Sequence, residues 1–123
     1  MAVAIGCLVP IGAGLAGILL GPRMLEPVAI GTGDLDSHFR YLSGLLLGIG
    51  LGFVSTISRI ETRGARFRLL TAIVVAGGIG RLAGVVTIGT PSTAMIAALA
   101  MELLVTPGLA FWQWRVATRT AAG

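Results

Sequence analysis

The sequence predicts an all-α integral membrane protein, a four-transmembrane-helix antiparallel bundle forming a single membrane domain over residues 1–123. Three observations carry this expectation. First, 55% of the residues are hydrophobic and 11% charged, with a mean hydropathy of +0.95, which leaves too little polar material to cover a soluble globule. Second, the apolar residues gather into runs at about 2–21, 38–58, 67–88 and 92–114, each near the roughly 20 residues that a helix needs to cross a bilayer. Third, most of the charges stand between the runs or at their ends. The net charge of +4 comes from nine arginines against five acids, with no lysine. Arginines at span ends read as topology signals, so no nucleic-acid partner is expected; the partner is the lipid bilayer.

The first run, Ala2 to Gly21, has neither the basic start nor the small-residue cleavage site of a signal peptide, so it reads as a retained helix. Pro10 deprives the Gly6 carbonyl of its donor and favours a bend. Gly17 and Gly21, with Ala13 one step before, make a small-residue row that admits a close helix neighbour. Pro22 ends the helix. The outer loop, 22–37, holds Arg23, Glu26, Pro27, Asp34 and Asp36, and Met24 to Ile30 is expected as a short segment resting on the membrane surface. Asp36 is placed to cap the second helix, and it stands four residues before Arg40, the helical spacing for a pair.

In the second run, Arg40, Gly44, Gly48, Gly52 and Thr56 recur every fourth residue and are expected to share the face that touches another helix. A basic loop at 59–66 follows, with Arg59, Arg63 and Arg66, and Arg68 just beyond. The positive-inside rule puts this loop in the cytoplasm, and the tail 115–123, with Arg115 and Arg119, returns to the same side. Both termini are therefore expected to be cytoplasmic, with Asp36 to Tyr41 on the opposite side.

The third run sets Gly77, Gly78, Gly80 and Gly84 around Arg81, the pattern of an arginine held against a neighbouring helix. Gly89-Thr90-Pro91 reads as a tight turn, with Thr90 as N-cap and Pro91 at the first helical position. The fourth run repeats Ala94, Ala98, Glu102, Thr106 and Ala110 at intervals of four. Pro107 frees the carbonyl of Leu103 and predicts a kink one turn beyond the acid. Trp112 and Trp114 beside Arg115 read as an interfacial belt.

At 1.5 Å per residue, Arg81 lies roughly 10 Å below the outer end of its helix and Glu102 roughly 15 Å below the start of the next. A long arginine side chain spans that difference. Each lone charge near mid-span costs about 2.5 to 3.5 kcal/mol on insertion-derived scales, so pairing is the cheaper arrangement. His38 and Arg40 begin near the same surface. One intramembrane polar cluster of His38, Arg40, Arg81 and Glu102 is therefore expected in the outer half of the bundle, with Asp36 and Tyr41 at its rim. The helix-packing positions expected are Gly17, Gly21, Gly44, Gly48, Gly52, Gly77, Gly80, Gly84, Ala94 and Ala98. Plainer readings stand beside this one. Arg81 with Glu102 can be a structural ion pair alone, and Arg40 can snorkel to the surface. A single histidine has no second one to complete a metal or haem site, so no metal and no cofactor are expected. Cys7 reads as a buried, inert thiol.

The string Asp36-Ser37-His38-Phe39-Arg40-Tyr41-Leu42-Ser43-Gly44 is followed by Ile60-Glu61 with Arg63, by Gly77-Gly78-Ile79-Gly80-Arg81-Leu82, by Met101-Glu102-Leu103 with Pro107, and by Gln113 with Arg115. In this order the motifs resemble the small bacterial four-helix membrane family called domain of unknown function 4345, over nearly the whole chain. The resemblance implies four helices in a bacterial inner (cytoplasmic) membrane, and His38, Arg40, Arg81 and Glu102 as hallmark positions. It implies no activity. Three functions stay open. The leading one is an accessory or assembly subunit whose glycine and alanine faces pack against a partner membrane protein or a second copy. A proton-linked carrier using Glu102 against Arg81 is another. The third is a binding protein or enzyme for a lipid-like molecule of isoprenoid or quinone type. No nucleophile and base stand at a recognisable spacing, which weighs against an enzyme.

Overall fold

A computed structural model describes residues 2–25 and 33–121. In chain order these form α1 (Ala2–Leu20), a 3-10 turn (Gly21–Met24), α2 (Gly33–Ile57), α3 (Gly64–Ile88), α4 (Thr93–Ala100), a π turn (Met101–Val105) and α5 (Thr106–Ala121). Four helices are long and apolar enough to cross a membrane: Ala2–Met24, Gly33–Ile57, Gly64–Ile88 and Thr93–Arg119, the last running through the π turn. The surface segment expected at Met24 to Ile30 falls mostly outside the described residues. The chain divides into two compact units, Met1–Ile57 and Ser58–Gly123.

In the first unit α1 packs along α2. A Cβ at Gly14 would lie 2.7 Å from the Leu47 backbone nitrogen, and one at Gly50 would lie 2.7 Å from Ile11 Cγ1. A Cβ at Gly17 would run into Ser43 Oγ. Ile11, Gly14 and Gly17 ascend α1 while Gly50, Leu47 and Ser43 descend α2, so the pair is antiparallel, with backbones close enough that only hydrogen fits. Val3 and Cys7 of α1 and Ser43, Phe53 and Thr56 of α2 are buried. The two hydroxyls cost little there, because Ser43 Oγ donates to Phe39 O at 2.8 Å and Thr56 Oγ1 to Phe53 O at 2.7 Å.

Of the row expected on α2, Arg40 reaches the end of α1 and Thr56 is buried, whereas a Cβ at Gly44 or Gly48 would meet nothing within 4 Å; the positions set against the middle of α1 are Ser43, Leu47 and Gly50. The reason is geometric. At about 100° per residue, a step of four overshoots a full turn by about 40°, so a row of every fourth residue winds off a straight neighbour. A lasting seam alternates steps of four and three.

The second unit shows the same rule. Along α3, Phe67, Thr71 and Gly78 are buried and Val74, Arg81 and Val85 half-buried, again in steps of four and three. This seam meets the fourth span, and a Cβ at Gly78 would lie 2.7 Å from Leu103 Cδ2. Gly77, Gly80 and Gly84, expected to pack, have nothing within 4 Å of a Cβ, and Ala94 is exposed. Ala98 is half-buried.

Element ends differ from expectation where a backbone device decides them. α2 already includes Gly33, so Asp36 lies within the helix and is not its cap. α3 closes at Gly89, whose φ of +123° only glycine holds without strain, and its N–H reaches Val85 O at 3.1 Å. Ser92, not Thr90, is the N-cap of α4, and its carbonyl accepts from the N–H groups of Met95 and Ile96. The effect of Pro107 takes the form of the π turn. The Thr106 N–H bonds to Met101 O, five residues back, and Thr106 Oγ1 donates to the same carbonyl at 2.8 Å. A one-residue register slip costs least beside a position that has no N–H to lose.

Candidate functional site

The charges of the second unit meet as a fork. Arg81 Nε donates to Glu102 Oε2 and Nη2 to Oε1, both at 3.0 Å, which is the planar bidentate geometry that arginine offers a carboxylate. Their side chains keep 34% and 19% exposure, so both ions are largely taken out of solvent. Two backbone features bring them together. Gly78, one turn before Arg81, admits the facing helix so closely that a Cβ there would lie 3.0 Å from Glu102 Cβ. Glu102 itself sits in the π turn, a deviation that often re-aims side chains at functional positions. On the other side Arg81 Nη1 contacts Met95 Sδ at 2.9 Å.

Beside this pair lies a cavity of about 350 Å³ at the α3–α4 turn. Gly84, Val85 and Ile88 line it from α3, and Pro91 and Met95 from beyond the turn; Arg81 provides its charge. The rest of the lining is apolar.

The first unit treats its arginine differently. Arg40 Nε donates to Asp36 Oδ2 at 2.7 Å and Nη2 to Oδ1 at 3.3 Å. Its Nη1 reaches the carbonyls of Ile18 and Leu19. These are among the last carbonyls of α1, which have no intrahelical donor, so Arg40 closes the C-terminus of α1 with a positive charge. Gly21 ends that helix at φ +62°, and a Cβ there would lie 2.6 Å from Asp36 Oδ1 and 2.8 Å from Arg40 Nη2. Arg40 thus does more than reach for the surface. His38 is exposed, with its ring centroid 6.5 Å from that of Tyr41.

Of the residues expected in one cluster, His38, Arg40, Arg81 and Glu102, with Asp36 and Tyr41 at its rim, the contacts within each unit are Arg81 with Glu102, Arg40 with Asp36, and His38 with Tyr41. Among the described residues no group of three histidine, cysteine, aspartate or glutamate side chains is placed to hold a metal ion. Sequence reasoning missed Met95 as a partner of Arg81. Its signal was present, for Met95 stands seven residues before Glu102, two helical turns along one face. Gln113, named in sequence only as part of the motif string, is 1% exposed and donates from Nε2 to Ile60 O at 2.7 Å, while its Oε1 has no partner among the described residues. At the same end of α5, Arg115 lies over the Phe111 ring at 5.3 Å.

What the helices and the charged fork define, among the described residues, is an all-helical fold whose four long apolar helices suit a multi-pass membrane protein. The chain belongs to the family described as Domain of unknown function (DUF4345), whose model matches residues 1–113. No curated protein and no solved structure matches it.

Proposed function

We propose that this is a multi-pass membrane protein that holds a lipid-like molecule at the Arg81–Glu102 pair. The observation that carries the reading is the pair itself, largely withdrawn from solvent, with Arg81 lining an apolar cavity of about 350 Å³. An ion pair within spans of this apolarity marks a site by default, and small-molecule sites are mostly apolar hollows with a few convergent polar groups. The arginines of residues 59–68 and of the tail support a cytoplasmic placement of both termini in a bacterial inner membrane. The pair would then lie in the outer half of the spans.

Protein purified from native membranes in mild detergent, extracted with organic solvent and analysed by mass spectrometry, is expected to yield a stoichiometric small molecule. Gly84→Leu puts a side chain into the cavity at a position where a Cβ meets nothing within 4 Å, and it is expected to lose that molecule. An empty extract from folded protein overturns the reading.

A second reading, an accessory or assembly subunit, is favoured by the open small-residue positions Gly44, Gly48, Gly77 and Gly80, where a Cβ meets nothing. Such positions let a partner helix approach closely. Gly44→Leu and Gly48→Leu then abolish copurification with a defined complex while the protein stays folded, and Glu102→Gln leaves it intact.

A further inference from the structure

The hydrogen-bond inventory of Arg81 narrows the ligand, given the site proposed above, on which this inference rests. A guanidinium carries five N–H hydrogens. One on Nε and one on Nη2 go to Glu102, and one on Nη1 faces the thioether of Met95, a weak acceptor. Two hydrogens remain, one on each terminal nitrogen, and among the described residues they meet no oxygen. Arg81 is also part of the lining of the cavity. The lining of the cavity thus includes the residue that carries these spare donors and no carboxylate.

Charge decides what can use them. Arg81 and Glu102 together sum to zero, so the site is a dipole in apolar surroundings. An anionic head would bring an uncompensated charge into a pocket whose only cation is already neutralised, and a cationic head would face the donor side of a guanidinium; desolvation opposes both. A neutral carbonyl oxygen brings no charge, and its two lone pairs match the two spare hydrogens.

We infer that the molecule held beside Arg81 is an uncharged amphiphile that presents a carbonyl oxygen to the guanidinium, on an apolar body. A volume of about 350 Å³, near the lower end for small-molecule sites, takes a ring or a headgroup and leaves a tail to run along the open lip, where Ile88 is 91% exposed. The carbonyl can belong to a ring ketone or quinone, or to an acyl ester of ordinary lipid.

The test uses the full chain in neutral-detergent micelles with four probes of equal tail length: decyl-benzoquinone, a monoacylglycerol with a decanoyl chain, decylbenzene and decanoate. Binding is read by isothermal titration in the natural protein and in Gly84→Leu. At least one carbonyl probe is expected to bind about tenfold or more tighter than decylbenzene, a difference of about 1.4 kcal/mol, with decanoate no tighter than decylbenzene and all specific binding lost in Gly84→Leu. The order of quinone and ester tells which source of carbonyl the site takes. Met95→Leu, which removes only the thioether, is expected to keep the preference. If decylbenzene matches the carbonyl probes, or decanoate binds tightest, the inference is overturned while the ligand site stands, provided Gly84→Leu still abolishes binding. If no probe distinguishes the natural protein from Gly84→Leu, the site itself is overturned.

Discussion

Glu102→Gln is the sharpest perturbation of the second unit, because it removes one charge and almost no volume. It leaves Arg81 as a lone cation against an apolar seam. Removing one partner of a fully buried pair costs about 3–5 kcal/mol, and a lone arginine near mid-span about 2.5–3.5 on insertion scales. Arg81 keeps 34% exposure, and glutamine retains one acceptor oxygen, so discounting by about a third gives an expected loss of about 2–3 kcal/mol. The double variant Arg81→Gln/Glu102→Gln removes both charges and lets two amides hydrogen-bond across the same gap. It is expected to recover all but about 1 kcal/mol, because replacing a whole ion pair is far gentler than breaking it. The assay is equilibrium unfolding in micelles, followed by far-ultraviolet circular dichroism, on the natural protein, both single variants and the double. Two singles that merely add in the double variant would show that the fork contributes no coupling, and a double variant as unstable as Glu102→Gln would show that the lone Arg81 charge is not what costs stability; either result refutes the reasoning.

The glycine seams give two further expectations. Gly14→Leu drives a side chain into the Leu47 backbone and is expected to destabilise the first unit by about 3 kcal/mol or more, whereas Gly44→Leu and Gly48→Leu fill open space and are expected to leave unfolding midpoints unchanged or slightly raised. Gly89→Ala places a Cβ at φ +123° and is expected to cost about 1–3 kcal/mol, read as a lowered thermal midpoint, although nothing lies within 4 Å of that Cβ; an unchanged midpoint would mean that the turn rearranges freely.

Much of the fold was legible because a bilayer-scale apolar run is a long, redundant signal. Four helices long and apolar enough to cross a membrane stand where the sequence has four apolar runs, and Arg81 bonds Glu102, a partner that the depth count allowed without deciding. The packing face was harder to read. Glycine every fourth residue looks like a seam in sequence, but the seam belongs to whichever positions alternate fours and threes, and in α2 that set runs through Ser43 and Leu47, neither of which is glycine. Composition advertised Gly44 and Gly48; geometry selected their neighbours. The partners of single charges were harder still to read. Depth along a helix can be counted from sequence, but which neighbour supplies a partner cannot, and the carbonyls at the end of α1 that Arg40 meets left no mark in the sequence.

The two arginines together locate the candidate site in the second unit rather than the first. Both stand in apolar helices, and both are compensated by a carboxylate. Arg40 has further oxygens at hand, because α1 ends beside it and offers carbonyls that lack donors, so its demand for acceptors is met at a structural joint. Arg81 has no helix end beside it. Within α3 it stands away from either helix end, and its next neighbour is a sulfur atom. Among the described residues its side-chain hydrogen bonds reach no backbone carbonyl, and the cavity at the α3–α4 turn is the open volume it adjoins. If Arg81 were only a structural tie like Arg40, filling that cavity through Gly84→Leu would be harmless to every property of the protein. A loss of ligand or of function in Gly84→Leu, with folding intact, separates the two arginines by role.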